Sequence, residues 1–260
     1  MQRLKHSFLL VFICSILFSQ HRGDSVVRKG VDAFFNYEYE KSIEILSNAR
    51  VEFHEHPVVH TVWAAAWYQF DQSQFSADTV YSKFETRLNE IEQIYDSLLT
   101  KYPENAEYLL YLGTAQSLRA RIYLGQKRFV STFYAAYKGF RTIQRSNEGS
   151  QGVKDVYLPI GVIEWYSGLS NPIVRIAAQT LGIDPSRKTG IEKMEIAANE
   201  SSWAWMEAMS ILSVIYQFFD LDEKRGLFVS KAIAEKYPKN YDYTIYYTLG
   251  LLQNGMIDEA

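Results

Sequence analysis

The segment Trp203–Pro238, WAWMEAMSILSVIYQFFDLDEKRGLFVSKAIAEKYP, decides the fold. Apolar residues recur in it at spacings of three and four on both sides of a polar turn, Leu221-Asp222-Glu223-Lys224-Arg225. That is the period of a helix buried along one face, and the closing proline, which lacks an N–H and clashes with the preceding turn, cannot continue a helix. The segment reads as helix, short turn, helix. Gly226 follows the turn, and 34 residues later Ala260 follows a second polar turn, Gly255–Glu259. The two turns agree in character and in the small residue after them, not in identity.

The same pattern extends outward. Val26–Phe35 meets Tyr39–Phe53 through Asn36-Tyr37-Glu38, and Val58–Phe70 precedes the long Thr79–Lys101. Ala106–Leu124 turns at Gly125-Gln126 into Arg128–Arg145. Pro103 and Pro238 each stand in a Lys-Tyr-Pro sequence, where one helix ends and the next begins. Small residues sit seven apart in Ser42/Ala49 and Gly190/Ala197, two turns along one face, which lets a neighbouring helix approach closely. Sustained apolar/polar alternation is almost absent, so the chain is predicted to be all-α.

Gly30 followed by Ser42 and Ala49, Pro103 followed by Gly113, and the pair Gly226 and Ala260 resemble the small-residue and proline positions of the tetratricopeptide repeat family. The resemblance is good over Lys29–Glu55 and Trp203–Ala260, partial over Ile91–Arg145 and poor over Gly149–Thr189; Ile233 stands where the family has a small residue. It implies a right-handed helical solenoid of antiparallel helix pairs over 25–260, with the first helix of each pair lining a concave groove. It also implies ligand or protein binding, and no catalytic residues to carry over. Two departures stand out. A non-repeat helical insertion at about 150–189 contains the very apolar Val156–Ile183, predicted as helices over 155–167 and 172–181, with Asp184 capping a third helix from Pro185. This insertion either seals the solenoid or presents an exposed apolar face. The ending, Asn254–Ala260, resembles a turn and the first residue of a second helix, so a truncated chain is expected, with Tyr241, Tyr243, Tyr246 and Tyr247 packing on a missing partner helix.

The N-terminus reads as an export signal, residues 1–19. Arg3, Lys5 and His6 precede the apolar run Phe8–Phe18, which is too short to span a bilayer, since that needs roughly twenty apolar residues. An uncleaved anchor is the alternative. Ile13, bulky where a lipoprotein signal needs a small residue, argues against lipidation at Cys14. A secreted or periplasmic location follows. Cleavage removes two of the 27 basic residues, none of the 30 acidic ones and the single cysteine. The remainder is mildly acidic, which argues against nucleic acid as a partner, and has no thiol chemistry.

Candidate binding residues fall in two groups. Trp63 and Trp67 lie one helical turn apart on a groove-lining helix, where aromatic faces anchor bound segments, although such a stripe also suits a core. From Tyr108 to Arg145 there is no acid, while Arg119, Arg121, Lys127, Arg128, Lys138, Arg141 and Arg145 are basic. This stretch either docks a carboxylate, an acidic partner or anionic lipid, or pairs internally with Glu85, Glu90, Glu92 and Asp96. His54, His56 and His60 lie close together, but Pro57 interrupts them and Val58 stands where a metalloprotease pattern needs histidine, so solvated turn histidines are expected and no metal. No nucleophile elbow, phosphate loop or other catalytic pattern is present. The sequence therefore predicts a non-enzymatic scaffold of the cell envelope, without cofactor, that binds a protein or peptide in its groove. The alternatives are a transporter accessory gripping a small carboxylate through Arg119 or Arg121, and a peripheral membrane contact through the apolar insertion.

Overall fold

The computed structural model describes residues 21–149 and 153–260; the expected export signal, Cys14 and the opening residues of the insertion, 150–152, lie outside them. Among the described residues there are helices and no strand. In chain order they are α1 (Asp24–Phe35), α2 (Tyr39–Glu52), α3 (Val59–Gln72), α4 (Ala77–Lys101), α5 (Ala106–Gly125) and α6 (Phe129–Gly149). After a 3₁₀ turn at Lys154–Val156 come α7 (Tyr157–Leu169), α8 (Pro172–Thr180), α9 (Arg187–Glu200), α10 (Trp205–Phe218), α11 (Glu223–Lys236) and α12 (Tyr241–Gln253), and a last 3₁₀ turn covers Ile257–Glu259.

Local chemistry sets the ends. Asn105, Asn171, Ser186, Asp222 and Asn240 each accept a hydrogen bond from the backbone N–H three residues on, satisfying one of the orphan donors of the helix that follows. The cap of α9 is therefore Ser186 and not Asp184, because a helix starting at Arg187 brings the Ser186 hydroxyl, not the Asp184 carboxylate, to the third N–H. Asp184 accepts instead from the Thr189 hydroxyl at 2.9 Å. Helices α1, α5, α8 and α12 all end in one turn, in which an N–H bonds back to the carbonyl five residues earlier: Glu38 to Ala33, Arg128 to Tyr123, Ile183 to Ala178 and Met256 to Leu251. The residue before each donor is left-handed, and at Tyr37 and Lys127 it is not glycine. Leu221 and Gly255, 34 residues apart, share this backbone sign, so the recurrence seen in the sequence has a geometric counterpart.

Most helices pack chiefly on a neighbour in the chain, but α7 packs on α9, past α8. Two of these contacts bring backbone against backbone. A Cβ on Gly113 of α5 would lie 2.8 Å from the Gly139 carbonyl of α6, and one on Gly139 would lie 2.7 Å from the Gly113 carbonyl. Gly161 of α7 and Gly190 of α9 meet in the same way, at 2.7 and 2.6 Å. Between these crossings Leu110, Ile143, Val156 and Ile160 join α5, α6 and α7 in one buried cluster.

The segments 32–37 and 237–242 meet. Tyr237 donates to Asp32 at 2.7 Å, the Lys239 N–H to Asn36 Oδ1 at 3.0 Å, and Asn240 Nδ2 to the Phe35 carbonyl at 2.8 Å. Tyr37 bonds Asp242 and its ring stands edge-on to Tyr241. Tyr243 is buried with Met206, Ile233 and Tyr237. Of the tyrosines of α12, Tyr243 is covered by α10 and α11, while Tyr241 is 65% exposed. Nearby, Arg28 lies 4.1 Å over Trp203 and donates to the Ser202 carbonyl. Asp155, buried, accepts from the N–H groups of Ser202, Trp203 and Ala204 at 2.7–3.1 Å, capping α10 from 47 residues away.

The glycine crossings set a clear expectation. Gly139→Val forces α6 away from α5 and should lower stability by about 1–3 kcal/mol or more in urea unfolding, whereas the same change at the open Gly255 position acts only through backbone strain. An unchanged midpoint for Gly139→Val would show that the crossing is not tight.

Candidate functional site

An open concavity of about 790 Å³ lies between α2 and α4, with α3 as its floor. Ser47, Val51, Trp63, Gln93, Ile94 and Ser97 line it. At its base the Arg50 guanidinium lies 3.6 Å over the Trp63 ring, and Trp63 Nε1 donates to Ser47 Oγ at 3.0 Å. Arg50 also donates to Glu90 at 2.5 Å and, through Nε, to His60 Nδ1 at 3.0 Å. Further along, Lys101 bonds Glu55 at 2.5 Å, which holds the Glu55 carboxyl below its ordinary range. Glu90 and Lys101 stand eleven residues apart on α4, about 16 Å at the helical rise. An extended segment of about five residues fits that length. Besides the two ion pairs the walls carry apolar groups, the neutral hydrogen-bonding side chains of Ser47, Gln93 and Ser97, the buried His60 and the exposed His54.

The histidines differ from the expectation of solvated turn residues. Only His54 is open to solvent. His56 is buried and bonded to Asp24 at 2.8 Å, and burial pushes its pKa below the ordinary value against the pull of that carboxylate. His60 is buried under Arg50; its Nε2 lies 2.7 Å from the His54 carbonyl, which can only accept, so Nε2 carries the proton and Nδ1 receives the Arg50 bond. Burial lowers its pKa to about 4. Among the described residues no group of three His, Cys, Asp or Glu is placed to hold a metal.

The six residues singled out from the sequence do not converge. Trp63 lines the groove, whereas Trp67, one turn on, packs edge-on to Phe70 beneath Arg87 of α4. Arg119 ties α5 to α4, donating to Glu92 at 2.5 Å, Glu85 at 3.4 Å and Asn89 at 2.8 Å, so internal pairing accounts for it. Arg121 forms no ion pair among the described residues; it faces the Tyr68 ring at 5.6 Å, and its charge partly opposes the desolvation that raises the Glu207 carboxyl. Lys127 and Arg128 form the α5–α6 turn, with Arg128 stacked on Tyr123 at 4.3 Å. Arg50, Val51 and Gln93 were not singled out from the sequence. Their signal is weak: Val51 is one apolar residue on a polar face, and Arg50 finds Trp63 only after α2 and α3 fold together. A stronger signal lay in α6. Phe129-Val130 and Phe133-Tyr134 are doublets four residues apart, and adjacent residues cannot both face a core. All four are exposed.

His60 gives the groove a pH dependence. The unfolded imidazole takes a proton below about 6.5 and the folded one only near 4, so the unfolded state binds more protons between these values and stability falls as pH falls through that window. The loss is on the order of 3 kcal/mol. His60→Gln keeps an acceptor for Arg50 and a donor for His54, and urea unfolding at pH 7, 5.5 and 4 should show a flatter acid limb; equal slopes would assign the effect elsewhere. Comparison of the chain with protein-family models, with curated proteins and with solved structures found no match.

Proposed function

We propose that this protein is a non-enzymatic interaction scaffold of the cell envelope that holds an extended protein segment in the groove between α2 and α4. The observation that carries this reading is the groove itself: about 790 Å³, floored by the Arg50–Trp63 stack and flanked by two satisfied ion pairs, with neutral donors and acceptors beside them. Such walls pair with a peptide backbone and take small apolar side chains, and they offer no unpaired charge for a small ionic ligand. A tetratricopeptide-like right-handed superhelix is the architecture we infer. Its support is the 34-residue recurrence of the left-handed turn and the close small-residue crossings. Export is inferred from the sequence of residues 1–19 alone.

The carboxylate-binding alternative has less to stand on. Arg119 already holds Glu85 and Glu92, and Glu207 would repel a carboxylate brought to Arg121.

Panning a random dodecapeptide library against the purified protein should enrich a family of binders. Their affinity, read by fluorescence anisotropy, should fall at least about tenfold in Val51→Glu and in the groove-filling Ser97→Trp. Enriched peptides that bind both variants as well as the parent protein would remove the groove from the account.

A further inference from the structure

A second surface, independent of the groove, has a different chemistry. Helix α7 starts beside Ile143 and Leu110, and Gln144 of α6 bonds the Gly182 carbonyl just past the end of α8. The α10–α11 turn lies against α7 and α9, where Phe219 stands 4.9 Å from Trp165 and Arg187 pairs with Asp220. Helix α5 begins where α6 ends, since Ser146 donates to the Ala106 carbonyl, so the α5–α6 turn projects at the opposite end of that hairpin.

This turn is apolar and open. Val130 is 86% exposed, Phe129 68% and Phe133 63%. Residues of that size are each ordinary on a surface; their concentration beside one turn is not. The charge that this hairpin itself carries has one sign. Between Tyr108 and Asn147 there is no acid, and among the described residues Arg121, Lys127, Arg128, Lys138 and Arg141 form no ion pair, although the chain as a whole is acidic. A cationic collar around exposed Phe and Val complements a negatively charged, partly apolar plane. No described helix is long and apolar enough to cross a membrane, so the contact is peripheral.

We propose that the α5–α6 turn docks on an anionic lipid bilayer. Phe129, Val130 and Phe133 enter the boundary between headgroups and acyl chains, and Lys127 and Arg128 lie against the lipid phosphates.

The test is sedimentation of the full chain with vesicles of phosphatidylcholine containing about a third phosphatidylglycerol. The protein should bind these vesicles at least about tenfold more tightly than pure phosphatidylcholine vesicles, and the difference should vanish in 0.5 M NaCl, since salt screens the headgroup charge. Val130→Asp with Phe133→Ser, and separately Lys127→Glu with Arg128→Glu, should each lose at least about tenfold in affinity. All four side chains are exposed, so both variants should keep the parent's unfolding midpoint. Residues 1–20 are common to parent and variants. Equal binding by parent and variants would overturn the proposal. So would the absence of vesicle binding together with a concentration-dependent dimer, seen in sedimentation velocity and abolished by the same substitutions, which would assign this face to a second copy of the chain.

Discussion

At Gly113 and Gly139, and again at Gly161 and Gly190, one helix backbone lies on another with no room for a methyl group between them. Much of what the surface offers depends on these two crossings. Because α6 meets α5 through glycine, its buried face needs only Ala135, Phe140, Ile143 and Ser146, and the rest of the helix is left to solvent. Because α7 meets α9 through glycine, Trp165 is carried inward to full burial, while Tyr166 and the α8 residues after it are displaced outward. Close approach also sets direction. Two helices held at van der Waals distance by their backbones have little freedom to slide or tilt, since either motion drives side chains into the facing carbonyls.

Closure of the chain adds a constraint of another kind. Bonds between Asp32 and Tyr237 or Phe35 and Asn240 join residues 205 positions apart. Loop-closure entropy grows only slowly with length, so bringing such distant partners together is tolerable when many contacts form at once. They do: Tyr37, Asn36 and Glu38 all engage residues 239–242. An array whose helices touched only sequential neighbours could open at its ends one pair at a time. Here the α1–α2 and α11–α12 pairs hold each other, and the buried Asp155 ties the start of α10 to the 3₁₀ turn before α7. The groove between α2 and α4 therefore sits in a framework braced on both sides.

Helix content and most helix ends were legible because they are local matters. The Lys-Tyr-Pro turns and the 3.6-residue period each depend on a few adjacent residues, whereas the one cap read from the sequence, Asp184, gives way to Ser186. Gly113 was legible as a small residue, but its partner Gly139 was not, because which helix faces it is a tertiary fact. The histidines illustrate the same limit. Nothing near His56 in sequence predicts that Asp24 and Trp203 will enclose it, so its polar neighbours suggested solvent when the fold supplies a core. Trp63 read as either an anchor or a core residue, and its place in the groove wall depends on Arg50 arriving from α2. The acid counterions of Arg119 were legible, since Glu85 and Glu92 lie on the helix that packs against α5.

Charge is disposed oppositely at the two surfaces, and this separates what each can recognise. Within the groove, Arg50 faces Glu90 and Lys101 faces Glu55, so an entering ligand finds fields already cancelled over a few ångströms. Selectivity there rests on shape and on neutral hydrogen bonds, whose strength hardly changes with ionic strength. At the α5–α6 turn, Lys127 and Arg128 form no ion pair among the described residues, and their potential reaches about a Debye length, roughly 8–10 Å, into solvent. A field of that range attracts a charged plane before contact and discriminates little between the groups that compose it. A bilayer suits such a surface better than a single peptide, because the exposed Phe and Val offer no closed pocket for one side chain but can enter a fluid boundary side by side.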